Sequence, residues 1–152
     1  MKIIIPKLIK EIKVALLEWS EKLSVKVEEI DSQHKKLIKI INNLNDAWKN
    51  DFKFEEFKNV FLDLIDYTEY HFRSEEKYME KYNYPKLEIH RKQHRAFVDR
   101  LMKLKEKCSY NKKEAYTDLL SFLSNWIVVH IMNSDREYVP YISEASKEKM
   151  EA

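Results

Sequence analysis

The sequence predicts an all-α fold: an antiparallel up-and-down four-helix bundle with an N-terminal arm and a short extra helix. Three observations predict it. Four long stretches carry apolar side chains at helical spacing. The connections between them are short, which makes sequential helices antiparallel neighbours. Glycine is absent, so helix ends fall to asparagine, and Asn50, Asn83 and Asn111 stand where three of the patterns stop. A chain of 152 residues, 44% apolar and 12% aromatic, has enough apolar content for one compact domain.

In chain order, residues 1–18 place Ile5, Leu8, Ile9, Ile12 and Leu16 at helical spacing opposite Lys7, Lys10 and Lys13. They read as an amphipathic extension that packs on the body or on another copy, with an anionic membrane surface as the alternative. From Trp19 to Asp31 the helical period is lost, and Val25, Val27 and Ile30 suggest an extended or irregular arm. Asp31 reads as the N-cap of the first bundle helix. That helix spans about Ser32 to Lys49 with His34, Leu37, Ile38, Ile41, Leu44 and Trp48 on one stripe.

The second helix starts near Phe54 and turns Phe57, Val60, Phe61, Leu64, Thr68, His71, Phe72, Glu75 and Met79 inward. Pro85 marks the next turn, since proline suits a first helical turn and not an interior. The third helix, about Lys86 to Cys108, directs Leu87, His90, His94, Phe97, Val98 and Leu101 to the core. The fourth, about Lys113 to Ser134, does the same with Tyr116, Leu119, Leu120, Leu123, Trp126, Ile127 and His130. The bundle domain is therefore expected over residues 19–138, and residues 139–152 form a loosely docked tail after Pro140.

Composition excludes several classes. The 28 basic and 26 acidic side chains interleave, so there is no basic stripe of the kind nucleic acid requires. The absence of glycine removes every glycine-rich phosphate loop. Cys108 is the only cysteine, which rules out an internal disulfide and fits a reducing compartment. The apolar start is interrupted by Pro6, Lys7 and Lys10, well short of a signal peptide core or a membrane span. A soluble, cytoplasmic protein is expected.

The chemistry lies in the histidines. All five, His34, His71, His90, His94 and His130, fall on inward stripes, and none is left for the surface. His71 and Glu75 lie one helical turn apart, as do His90 and His94, so each pair projects from one helix face. A lone buried histidine is ordinarily a satisfied core residue. Five of them, two in a chelating pair and a third paired with a buried carboxylate, point to a metal site, because neutral imidazole is the commonest ligand and an apolar core offers few other partners.

Four motifs, DSQHKKL around His34, HFRSEE at His71 and Glu75, HRKQH at His90 and His94, and HIMNSD from His130 to Asp135, resemble the hemerythrin family in its single-domain prokaryotic form. The resemblance runs from about Trp19 to Tyr138 and rests on all four motifs occurring in order. It implies reversible dioxygen binding by two iron ions, Fe2+/Fe3+, bridged by an oxo or hydroxo group, with dioxygen as ligand. It also implies that the five histidines are terminal ligands, that Glu75 and Asp135 bridge, and that Leu37, Phe72, Trp126, Ile127 and Ile131 form the oxygen pocket. The donor count agrees: of about twelve positions on two octahedral ions, these groups and one oxygen bridge leave one open, and it falls to the iron of His34 and His71. Spacing alone does not find Asp135, since five residues past His130 is about 140° around an ideal helix. The fourth helix must end, tighten or bulge between them. Glu76 is read as a solvated charge. Lys26 departs from the family, whose members often have glycine there.

A ferritin-like oxidase would use Glu-x-x-His pairs and four carboxylates, and no glutamate lies three before any histidine here. A di-zinc hydrolase would prefer fewer, tetrahedral ligands. Five imidazoles against two carboxylates favour binding over oxygenase chemistry, so a non-enzymatic role is expected. Oxidase, peroxide or nitric oxide handling and iron storage stand as alternatives on the same site. The expected partners are dioxygen and an oxygen-consuming protein, with no nucleic acid, and the chain a monomer or small homo-oligomer. No output module for a sensor fits within the length.

Overall fold

The structure, a computed structural model, describes residues 15–49, 53–109 and 113–142. Four helices make up the bundle: α1 (Glu28–Lys49), α2 (Phe54–Lys81), α3 (Leu87–Ser109) and α4 (Lys113–His130). Helix α1 packs on α2 and α4, and α3 packs on the same two, so the helices stand in a square in chain order. Among the described residues no helix is long and apolar enough to cross a membrane. Asn50 and Asn111 and most of the expected N-terminal helix lie outside the described residues.

One end of the bundle is largely apolar. Leu44, Leu64, Leu101, Leu104, Leu119 and Leu123 are essentially removed from solvent, each such side chain contributing roughly 1.5–3 kcal/mol by burial. Tyr116 anchors this end. Trp48 stacks on its ring at 4.8 Å, Phe57 meets it edge-on at 4.8 Å, and its hydroxyl donates to the Cys108 carbonyl at 3.0 Å.

Helix α1 starts four residues before the expected Ser32, and this corrects the reading of Asp31. It is no cap. From within the first turn its carboxylate accepts the Ser24 hydroxyl at 2.5 Å and the Val25 N–H at 2.8 Å, fastening the arm to the helix. The arm contains a 3-10 turn, Glu21–Leu23, and buries Leu23 and Val25. Further back, Leu17 and Asn42 exchange two hydrogen bonds, N–H to Oδ1 at 3.0 Å and Nδ2 to carbonyl at 2.8 Å. Lys26 is left-handed, with φ 59°, a conformation that burdens any residue with a Cβ. Its N–H donates to Ser24 Oγ at 3.1 Å.

Asn83 terminates α2 in the expected left-handed conformation, φ 53°. The Tyr84 N–H reaches the Met79 carbonyl at 2.8 Å and the Asn83 N–H that of Glu80 at 3.2 Å, while Met79 and Tyr84 pack together. These are the two hydrogen bonds and the apolar contact of a Schellman ending.

Helix α4 does not run on to Ser134 in α geometry. Ile131–Asp135 form one π turn, and α-helical backbone resumes over residues 136–142. The stretch after Pro140, expected to be loose, is helical through Ile142, whose side chain is buried.

Candidate metal centre

At the other end of the core the structure brings all seven sequence-predicted ligands together. His34 comes from α1, His71 and Glu75 from α2, His90 and His94 from α3, His130 from α4 and Asp135 from the π turn. The two carboxylates are fully buried and no histidine is more than 6% exposed. Their donor atoms form two groups, one of His34, His71, Glu75 and Asp135 and one of Glu75, His90, His94 and His130, each within 4.8 Å of one another.

Both carboxylates face both groups. Glu75 Oε1 lies 3.3 Å from His71 Nε2 and 3.4 Å from His34 Nε2, whereas Oε2 lies 3.2 Å from His94 Nε2 and 3.7 Å from His90 Nε2. Asp135 Oδ2 is 3.2 Å from His34 Nε2, and Oδ1 is 3.0 Å from His130 Nε2 and 3.2 Å from His90 Nε2. The π turn makes this possible. With i→i+5 bonding the fifth residue onward stands over the first, so Asp135 returns to the face of His130. Asn133 Nδ2 donates to the Val129 carbonyl at 2.8 Å within the same widened segment.

Sequence reasoning missed the groups that orient these candidate ligands. His71 Nδ1 donates to Gln33 Oε1 at 2.7 Å, and Gln33 Nε2 donates onward to Ser74 Oγ at 3.0 Å, which leaves the Nε2 lone pair of His71 directed inward. Glu76 is no solvated charge. Its Oε1 accepts from His94 Nδ1 at 2.8 Å, and the Arg91 guanidinium flanks it at 3.6 Å. Tyr138 donates its hydroxyl to Glu75 Oε1 at 2.9 Å. The signal for Gln33 and Glu76 is adjacency: each precedes or follows a ligand and turns toward the neighbouring helix. Tyr138 stands one helical turn beyond Asp135.

The electrostatics of the site call for positive charge. With neutral imidazoles, the inward-facing atoms are lone pairs and carboxylate oxygens, and Glu75 Oε2, His94 Nε2 and both Asp135 oxygens have no hydrogen-bond partner among the described residues. So many buried acceptors facing one another require positive charge. Without a metal, protons supply it. Burial opposes the charged form of His34 and His90, but the close carboxylates of Asp135 and Glu75 outweigh it and push both imidazoles up to about 9. Burial likewise raises the Glu75 and Asp135 carboxyls, yet the surrounding histidines hold both well below the carboxylate range. Imidazole and carboxylate donors on a pre-formed, acceptor-rich cluster fit a pair of iron ions.

A cavity of ≈ 20 Å³ lies against one side of the cluster, above the roughly 10–15 Å³ that admits one water-sized molecule. His34, His71, His130 and Asp135 border it, but His90, His94 and Glu75 do not. All five residues assigned to the pocket from sequence, Leu37, Phe72, Trp126, Ile127 and Ile131, line it. Phe72 also stacks on the His94 ring at 3.7 Å, and Trp126 on the His130 ring at 4.2 Å.

A family model described as the hemerythrin HHE cation binding domain matches residues 25–142. The bacteriohemerythrin of Clostridium acetobutylicum is 31% identical over 126 residues, 80% of this chain and 97% of that protein. The myohemerythrin of Theromyzon tessulatum is 30% identical over 121 residues, 80% of this chain and 89% of that protein. Among solved structures, a wild-type hemerythrin superposes with a TM-score of 0.77 at 31% identity, covering 85% of this chain and 99% of its own.

Proposed function

The chain belongs to the hemerythrin family, and on that premise we propose that it binds dioxygen reversibly at a non-haem di-iron centre. His34, His71, Glu75 and Asp135 would hold one iron. His90, His94 and His130 would hold the other with the second oxygens of the same two carboxylates. The observation that carries this reading is the small cavity, mostly hydrocarbon, that borders His34, His71, His130 and Asp135 but not His90, His94 or Glu75. When bound, the iron pair supplies the electrons and the open coordination position that dioxygen binding needs.

The chain's own residues do the rest. Leu37, Ile127 and Ile131 keep bulk water from the cavity, which disfavours loss of a charged product to solvent. Phe72 and Trp126 hold the planes of His94 and His130 by stacking. Gln33 and Glu76 fix the tautomers of His71 and His94, and Tyr138 holds Glu75 Oε1. Binding is favoured over turnover because imidazoles outnumber carboxylates and stabilise high-valent iron less. The same proposal takes residues 19–138 as the site-bearing domain of a cytoplasmic protein, a monomer or small homo-oligomer that supplies an oxygen-consuming partner.

Anaerobically reduced, iron-loaded protein should be colourless, take on colour in air and bleach again under vacuum. Steady consumption of a reductant without reversible colour would replace binding by oxidase chemistry. His71→Ala should abolish the colour while circular dichroism shows the helices intact, and undiminished oxygen binding by that variant would refute the assignment of His71.

A further inference from the structure

One polar side chain in the cavity is used neither by the ligand cluster nor by the groups that orient it. Thr68 stands on the inward stripe of α2, one turn before His71 and two before Glu75, and is 2% exposed. A buried helical threonine usually returns its hydroxyl to the carbonyl one turn back, here that of Leu64. Thr68 Oγ1 instead has no hydrogen-bond partner among the described residues. It lines the ≈ 20 Å³ cavity beside His34 and His71, where it is the single hydroxyl among the lining side chains.

We infer that Thr68 is a specificity-determining residue: its hydroxyl donates a hydrogen bond to the outer atom of a small ligand seated in the cavity. The site thereby favours ligands whose outer atom accepts, such as dioxygen and azide. This inference rests on the di-iron reading. The rest of the cavity wall is mainly hydrocarbon, and a hydrogen bond made there is stronger than at the surface. A buried hydroxyl left without a partner also weakens the fold, so the ligand satisfies a group that the protein itself leaves unpaired.

The test uses Thr68→Val, which keeps the shape and removes the hydroxyl, and Thr68→Ser, which keeps the hydroxyl. Oxidised iron-loaded protein is titrated with azide and followed by visible absorption. Thr68→Val should bind azide about 3- to 10-fold more weakly than wild type, the worth of one hydrogen bond, and Thr68→Ser should bind within about 2-fold of it. Thermal melting of the metal-free proteins gives a readout independent of iron. Thr68→Val should melt no lower than wild type, and up to about 4 °C higher where an unpaired hydroxyl has been removed. Equal azide affinity of wild type and Thr68→Val, or a metal-free Thr68→Val that melts more than about 2 °C lower because the hydroxyl was already bonded to the backbone, overturns the inference. Wild-type protein that takes up no iron overturns the di-iron reading and this inference with it, whereas normal loading with unchanged azide binding removes only the role of Thr68.

Discussion

In the metal-free site two imidazoles held up to about 9, His34 and His90, face two carboxylates held low, Glu75 and Asp135. Protons and metal ions therefore compete for one cluster. A raised imidazole stabilises the fold fully below its ordinary value of 6.5, and that contribution fades as pH rises through about 9. Two measurable effects are expected. The metal-free protein should lose stability between those limits in denaturant titrations, and anaerobic loading with Fe2+ at pH 7.5 should release on the order of two protons per chain, reported by an indicator dye in weak buffer. Release that does not shrink towards pH 10 would show that other groups hold the protons. At this scale the paired candidate ligands were legible because their spacing repeats the helical turn, and His34 and His130 because they fall on apolar stripes, whereas Asp135 needed the family motif. Gln33 and Glu76 were hidden, because a polar residue beside a ligand has the same pattern whether it meets solvent or a neighbouring helix.

Among the elements, the irregular ones were the least legible. The need for a break between His130 and Asp135 followed from helix geometry, but several breaks satisfy it, and only the backbone shows a π turn (Ile131–Asp135). The start of α1 was misplaced because Asp31 has the composition of a cap while acting from the first turn on Ser24 and Val25. Lys26 carries its strain in the same arm. Replacing it with glycine removes the Cβ conflict at φ 59°, and although glycine adds freedom to the unfolded chain, Lys26→Gly should stabilise by about 0.5–1 kcal/mol. Urea denaturation checks this; a loss of stability would mean that the lysine makes a contact worth more than the strain.

The whole molecule divides into an apolar end built on Tyr116 and the leucines and a polar end built on the ligands. Each element of the square came from a stripe at helical period, which is why the architecture could be read before any coordinate. Leu119, fully buried on α4, tests the division. Leu119→Ala should cost about 2–5 kcal/mol in stability, measured in urea, while the visible spectrum of the iron-loaded protein stays unchanged. A changed spectrum would mean that the two ends are mechanically coupled.

The π turn has one more consequence. Its i→i+5 bonds are less favourable than the α ladder on either side, and the only ligand it bears is Asp135. Backbone amides near 131–135 should therefore take up deuterium faster than those of Leu119–Leu123 in the empty protein, and slow markedly once cations tether that carboxylate. The widened turn then acts as a local clasp, loose when vacant and shut when filled.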